Sequence, residues 1–202
     1  LLNALLYHIP ELDRLPRAGI VQRLDKDTSG VMIIARSLKA HASLVNQLQN
    51  RTVTREYQSI VQGVMTAGGK VDAPIGRHPL KRIRMAIVEN GKQAVTHFKV
   101  IKRFTAHTHI QLRLETGRTH QIRVHMEHIR HHVVGDPVYG GRPKFPKHSS
   151  PELIETLQRF PRQALHASHL QVTHPITGQE LNWQSPLPPD ITKLLSLLEN
   201  NE

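Results

Sequence analysis

The sequence contains no cysteine, which excludes disulfide bonds and thiolate-ligated metal centres. A chain without cysteine suits a reducing compartment, so we expect a cytoplasmic protein. No apolar run approaches the roughly 18 residues of a membrane-spanning helix. No signal-peptide pattern is present either. We therefore expect no disulfide framework and no membrane partner.

Acidic residues are also scarce. The chain has 16 Asp and Glu against 27 Lys and Arg, which gives a formal net charge of +11. Such a surplus favours a polyanionic partner, although a merely solvated basic surface is the plain alternative. The 202 residues suffice for a substantial core. Because the chain starts at Leu1 rather than Met, we expect a fragment that lacks an upstream domain.

Hydrophobic periodicity in the first half of the chain predicts strands and one helix. Residues 31–35 are expected to form a short buried strand, followed by a helix over residues 37–50 with Ser37 as its cap. The stretch 53–62 alternates as a strand does. Irregular strands are expected over residues 71–100.

The Asn90-Gly91 pair predicts a hairpin turn. Farther along, residues 110–114 alternate as a strand, and a helix with an apolar stripe follows the turn at Gly117. Ser150 is expected to cap another helix, and Asp190 to cap the last one.

A second hairpin is expected around residues 175–178. Strands dominate without regular βαβ alternation. The sequence therefore predicts one α+β domain over residues 1–202, built on a mixed, mostly antiparallel sheet with flanking helices.

The stretch "GIVQRLDKDTSGVMII" concentrates polar groups between two hydrophobic runs. Its Asp25 is either a local turn acceptor, the commoner role of Asp in loops, or a catalytic group. Asp27 is expected to hydrogen-bond the backbone of the turn at 28–30. Because the two carboxylates are such close neighbours on one loop, they do not suit a glycosidase arrangement.

A basic motif, "GRTHQIRVH", contributes Arg118, His120, Arg123 and His125. It is either a basic helix face or a means of bringing a cation beside a buried carboxylate, which would keep that carboxylate ionised. Tyr57, in "REYQS", is either an ordinary core aromatic or a flat face for a base with a phenol that can exchange a proton.

The chain has 15 histidines, and three of them fall at helical spacing: His125, His128 and His132. No Cys, Asp or Glu completes a compact ligand set with them, so we expect no metal site. Nucleotide-binding glycine loops are also lacking.

Two loops are rich in cations. "GRHPLKRIR" carries Arg77, Lys81, Arg82 and Arg84, and a Gly/Pro-rich loop carries Arg142, Lys144 and Lys147. The side chains of both clusters are either exposed to solvent with no binding role, or they bind phosphate groups of a nucleic acid.

Five motifs occur in an order and spacing typical of one family: "RLDKDTSG", "REYQSIVQG", "LETGRTHQIRVHM", "GDPVYGG" and "LHASHLQVTHPITG". The chain resembles the RluA-type RNA pseudouridine synthases, above all the branch that modifies large-subunit ribosomal RNA. The resemblance implies a cofactor-free isomerase that detaches uracil from its ribose, rotates it and rejoins it through carbon. It also implies a mixed sheet with RNA-gripping loops, and an upstream S4-like RNA-binding domain that is absent from this chain.

By the same resemblance, Asp25 matches the catalytic aspartate, Tyr57 the active-site tyrosine, and Arg123 the basic residue paired with the aspartate. Arg23 matches an arginine that fills the stack vacated by a flipped base, and Ile122 an apolar position packed against uracil. The remaining residues expected to bind RNA are Arg118, His120, Arg77, His78, Lys81, Arg82 and Arg84.

One position departs from the family pattern, since Gln22 stands where a histidine usually precedes Arg-Leu-Asp. We expect a monomer that acts on ribosomal RNA. Two alternatives stay open: a catalytically silent, ribosome-associated RNA-binding protein of the same fold, and a hydrolase that uses Asp25 and Asp27.

Overall fold

The computed structural model describes residues 1–81 and 83–201. Nine strands are present in this part of the chain: β1 (Ser29–Gly30), β2 (Thr54–Gln62), β3 (Gly69–Asp72), β4 (Ile75–Arg77), β5 (Met85–Ile87), β6 (Val95–Arg103), β7 (His107–Leu114), β8 (Leu165–Thr173) and β9 (Glu180–Gln184). It also has five α-helices: α1 (Leu2–His8), α2 (Leu38–Gln49), α3 (Gln121–His128), α4 (Pro151–Gln158) and α5 (Pro189–Glu199). Two short 3₁₀ helices follow α1, at Pro10–Arg14 and Pro16–Gly19.

Seven strands form one sheet in the order β1-β8-β2-β7-β6-β3, with β9 paired to β8. Only the two-residue β1 runs parallel to its neighbour, and the other pairs are antiparallel. Strands β4 and β5 form a separate hairpin. The prediction of a mixed, mostly antiparallel sheet with flanking helices is confirmed.

The main core lies where three helices cover the central strands. Ile60, Ile110 and Leu112 of β2 and β7 are completely buried. Apolar residues of α3, α4 and α5 pack on the same cluster, among them Ile122 and Leu194. The helices therefore fix the ends of β2 and β7, where polar residues of the site are mounted.

The strand predicted at residues 31–35 is wrong. Pairing with β8 is confined to Ser29 and Gly30, and the Val31 N–H still donates to the Ala167 carbonyl. Gly30 has a φ of +114°, and a Cβ there would lie 2.1 Å from the Ala167 carbonyl oxygen. The chain then leaves the sheet, and Val31 packs on the cluster around α2 instead.

Helix starts were predicted well from their caps, with one exception. The Ser37 hydroxyl accepts from the Ala40 N–H, and the Ser150 hydroxyl accepts from the Leu153 N–H, as expected. Asp190 is not the cap of α5, because Pro188 takes that position. Its carboxylate instead forms a two-pronged pair with Arg162, at 2.7 and 2.9 Å.

The turn at Asn90-Gly91 exists, since the Gly91 N–H donates to the Val88 carbonyl. It leads into a single bridge between Ile75 and Lys92 rather than into a second long strand. The true hairpin joins β4 and β5 across residues 78–84. The hairpin predicted around residues 175–178 joins β8 to β9.

Candidate active site

A cleft of about 560 Å³ opens where the loop after Gly19 meets the start of β2 and the end of β7. It brings together Asp25, Tyr57, Ile122, Arg23 and Arg118, which the sequence places in three separate motifs. Gln22, the departure from the family pattern, also lines it.

Asp25 lies at the end of a chain of charges. Arg123 Nη1 is 3.3 Å from Asp25 Oδ2, while the same guanidinium makes two shorter hydrogen bonds to Asp136, of 2.6 and 2.8 Å. The predicted pairing of Arg123 with Asp25 is therefore present, but Asp136 is the stronger partner. Burial alone would lower the pKa of Arg123, but its hydrogen bonds and ion pairs with Asp136 and Asp25 raise it, so the guanidinium stays charged.

Asp136 was missed by sequence reasoning. Its side chain is fully buried, and Oδ1 also accepts from the backbone N–H groups of Val138 and Tyr139. Burial raises its pKa, but Arg123 and these N–H groups outweigh that and lower it below the ordinary value. The motif "GDPVYGG" contains this acid, but nothing in the sequence shows that it meets Arg123.

The start of α3 is fixed by Gln121, which positions Arg123 two residues later. The Gln121 side chain accepts from the Arg118 N–H and the Thr116 hydroxyl, and donates to Val95 and Thr96. The turn between β7 and α3 is thereby tied to β6.

His120 precedes α3 with a left-handed φ of 57°. Its Nδ1 lies 2.9 Å from the hydroxyl of Tyr139, a second residue that sequence reasoning missed. The Arg123 guanidinium packs 4.9 Å from the centre of the Tyr139 ring. His120 is therefore connected to Arg123 only through Tyr139, and it does not line the cleft.

Tyr57 is 8% exposed and reaches the cleft from β2. A register shift between Glu56 and Tyr57, against β8, redirects the strand at this point. Burial raises the pKa of Tyr57 to about 12, with the charge of Arg55 opposing and that of Asp25 adding to the shift. The phenol is therefore protonated at neutral pH and can donate a hydrogen bond.

The loop that carries Asp25 is hydrogen-bonded to the residues just before β8. Gln163 donates to the Lys26 carbonyl and the Thr28 hydroxyl, at 2.6 and 2.9 Å. The expected role of the Asp27 carboxylate is wrong, since within residues 1–81 and 83–201 that carboxylate makes no hydrogen bond to the turn. Asp27 shapes the turn through a left-handed φ of 67°, and its carbonyl accepts from Arg162.

Most of the cations that were expected to bind RNA fall into one of two groups. Arg23 and Arg118 line the cleft, whereas Arg77, His78 and Lys81 lie in the exposed β4–β5 hairpin outside it. Arg82 falls outside the described residues.

Arg84 belongs to neither group, because it is engaged within the protein. It pairs with Glu127 and packs over the Tyr139 ring. Its position braces the hairpin against α3.

The histidines of the described residues do not form a metal-binding cluster. His125 is buried in α3 and bonds Thr96 and the Ala73 carbonyl. No group of three His, Asp or Glu in the described part of the chain has a metal-binding arrangement. Nor does any described helix have the length and apolarity needed to cross a membrane.

Comparison with known proteins decides the family. A family model described as RNA pseudouridylate synthase matches residues 5–128. The chain belongs to the RNA pseudouridylate synthase family. The matched range includes Asp25, Tyr57 and Arg123.

Several curated members of the family are closely similar. The chain is 59% identical over 201 residues to "Ribosomal large subunit pseudouridine synthase D" of Pseudomonas aeruginosa, covering 100% of this chain and 63% of the relative. It is 55% identical over 197 residues to the protein of the same name from Escherichia coli K12, covering 98% and 60%. The chain thus spans about three fifths of the length of these curated relatives.

Solved structures agree with the family assignment. "Human RNA Pseudouridylate Synthase Domain Containing 4" aligns with a TM-score of 0.71 at 27% identity, over 89% of this chain and 75% of that one. "Human RNA Pseudouridylate Synthase Domain Containing 1" aligns with a TM-score of 0.70 at 27% identity, over 88% and 71%.

Proposed function

We propose that this protein is an isomerase that converts uridines of large-subunit ribosomal RNA to pseudouridine. The observation that carries the proposal is Asp25, set in a basic cleft and paired with Arg123, whose guanidinium is held in turn by Asp136. The names of the closely similar relatives support the RNA class, and the net charge of +11 suits a polyanionic substrate.

The net reaction breaks the bond between C1′ of the ribose and N1 of uracil and forms a bond between C1′ and C5. The C5 proton is lost and N1 gains a proton, so atoms and electrons balance without an oxidant or reductant. We propose that the Asp25 carboxylate acts at the reacting nucleotide, with the guanidinium of Arg123 3.3 Å from its Oδ2.

The target base has to leave the RNA stack before its glycosidic bond is accessible, at a cost of a few kcal/mol. Arg23, exposed at the cleft, can offset part of that cost by stacking in the vacated gap. Tyr57 and Ile122 offer the aromatic and apolar surfaces on which the flipped uracil packs.

The proposed function also assigns roles to the rest of the domain and to the residues around the cleft. Residues 1–202 act as the catalytic domain, Arg118 contacts RNA at the cleft, and the hairpin with Arg77, His78 and Lys81 contacts RNA beyond it. His120 is proposed to contribute through Tyr139 and Arg123. The protein works in the cytoplasm as a monomer.

The test compares the parent with Asp25→Asn, using ribosomal RNA labelled with tritium at uracil C5 and measuring tritium release. The variant should release none, because Asn has no charge to act on the nucleotide, while its RNA affinity stays within about threefold. Asp27→Asn is the matched control, and it should release tritium at a rate close to that of the parent. Equal release by Asp25→Asn would refute the assignment, and no release by the parent despite RNA binding would favour the silent binding protein.

A further inference from the structure

Arg55 is a buried cation in the wall of the cleft. It is 8% exposed and lines the same cavity as Tyr57, two residues along the same face of β2. Its role is assigned by none of the motifs considered above.

The guanidinium of Arg55 is poorly satisfied. Nη2 makes one long hydrogen bond of 3.3 Å to the Glu115 carbonyl, and the buried Nε has no partner. No carboxylate in the described ranges pairs with it, although the nearby Arg51 and Arg123 both have acidic partners. Burial lowers the pKa of Arg55, as expected for a charge that is removed from water without compensation.

An arginine stays charged in a protein whatever its surroundings. Burying Arg55 therefore costs free energy, which either a bound anion offsets or the rest of the fold has to balance. A buried cation without an anion is strongly unfavourable. Such a group is well suited to a ligand that brings the missing negative charge.

The lack of a side chain at Gly117 leaves space for the guanidinium of Arg55. A Cβ on Gly117 would lie 2.8 Å from Arg55 Nη1, so the turn before α3 passes directly over it. The free donors of a planar fork in a fixed position match the geometry of a phosphate group.

We propose that Arg55 forms a phosphate subsite that binds a backbone phosphate next to the reacting uridine. This inference rests on the proposed function, because it takes RNA as the ligand of the cleft. Arg55 binds substrate and fixes where the flipped nucleotide's ribose stands relative to Asp25. The alternative role of Arg55 is electrostatic support of Tyr57, whose pKa the charge of Arg55 lowers.

The experiment measures RNA affinity against salt concentration for Arg55→Met, with Arg113→Met as the control. Arg113 is exposed on β7 and does not line the cleft. Measurements are made in the Asp25→Asn background, so that binding is scored without turnover. We expect Arg55→Met to weaken affinity about tenfold and to reduce the salt slope by about one phosphate contact. Arg113→Met should leave that slope unchanged.

Three further readouts separate a ligand role from a structural one. The stability of Arg55→Met should equal or exceed that of the parent, since an uncompensated charge is removed. Arg55→Lys should keep the salt slope and recover part of the affinity. In the background with intact Asp25, Arg55→Met should raise KM more than it lowers kcat.

A fall in kcat at unchanged KM and slope would overturn the proposal in favour of support to Tyr57. Loss of stability in both Arg55 variants would overturn it in favour of a structural role. Absence of isomerase activity in the parent would instead count against the proposed function, while the binding comparison would still decide the subsite.

Discussion

Replacing Asp136 by Asn removes one charge from the Asp25–Arg123–Asp136 chain and almost nothing else. Asn has the same shape as Asp, and its amide can keep part of the hydrogen bonding of the fully buried carboxylate. What disappears is the anion that holds Arg123 through two short bonds.

The expected loss follows from that geometry. Breaking a buried ion pair by removing one partner costs about 3–5 kcal/mol, because the other charge is left uncompensated. Asp25 compensates only partly, since its contact with Arg123 is a single one of 3.3 Å. We therefore expect Asp136→Asn to lower the free energy of unfolding by about 3 kcal/mol, measured by urea titration at pH 7.

Activity should fall as well, and in kcat rather than KM. Asp136 does not line the cleft, so RNA binding is largely unaffected, but Arg123 is no longer fixed beside Asp25. We expect at least a tenfold loss of kcat, because a tenfold change corresponds to about 1.4 kcal/mol and one hydrogen bond to a charged group contributes about 1.5–3 kcal/mol.

A second substitution and a matched control test whether the loss of stability comes from the uncompensated buried charge. Asp136→Asn combined with Arg123→Met should recover most of the lost stability, because the buried guanidinium that Asp136→Asn leaves uncompensated is removed as well, but none of the activity. Asp72→Asn breaks the exposed pair with Lys70 and should change stability by less than about 1 kcal/mol. If Asp136→Asn cost as little as Asp72→Asn, the ion-pair argument would be wrong.

The same variant changes the response to acid. The pKa of Asp136 is lowered in the folded protein, so its stabilising charge is fully present above the ordinary aspartate value of about 3.9. That contribution is lost as the pH falls through the lower folded value. The parent should therefore lose stability more steeply than Asp136→Asn below about pH 4.

Three further outcomes are expected. Burial, with the charge of Lys144, lowers the pKa of His107 to about 4, and burial does the same for His109, so each contributes stability that is present above about pH 6.5 and lost as the pH falls toward 4. A shift of that size corresponds to about 3 kcal/mol per histidine, so His107→Leu should reduce the slope of unfolding free energy against pH over that range in urea titrations; an unchanged slope would contradict this. Because the pKa of Tyr57 is about 12, the pH–rate profile should show no step from this residue below pH 10, and a step lost in Tyr57→Phe would refute that. Gly117→Ala should displace Arg55 and weaken RNA affinity about threefold without unfolding the protein; parental affinity in a binding titration would contradict it.

The sheet was predictable where a strand alternates between a buried and a polar face. Arg55, Tyr57, Ser59 and Val61 of β2 are all buried, as the alternation indicated, and so is Val53 just before the strand. Prediction failed over residues 31–35, because this apolar run packs on the cluster around α2 and its pairing amounts to a single bridge between Ile34 and Ile20 rather than a strand. Asp190 failed for a related reason, since Arg162, 28 residues away, competes for its carboxylate.

The candidate site was predictable in part. The family resemblance drew attention to Asp25, Tyr57 and Arg123, and the structure brings all three together. Asp136 was not predictable, because its partner lies 13 residues away and is reached only when the loop after α3 folds back. A sequence indicates which charges exist but not which of them are buried against each other.

Dividing Arg123 between two carboxylates resolves a conflict in the requirements on Asp25. A carboxylate that acts on a substrate has to stay ionised, which favours a close cation, yet it also needs oxygen atoms free for the reacting nucleotide. Asp136 takes the two short hydrogen bonds and fixes the guanidinium whether or not Asp25 is engaged. Arg123 therefore contacts only Oδ2 of Asp25, at 3.3 Å, and leaves Oδ1 without a guanidinium bond. A direct fork between Arg123 and Asp25 would occupy both oxygens, so the buried aspartate that does no chemistry is what keeps the other one available.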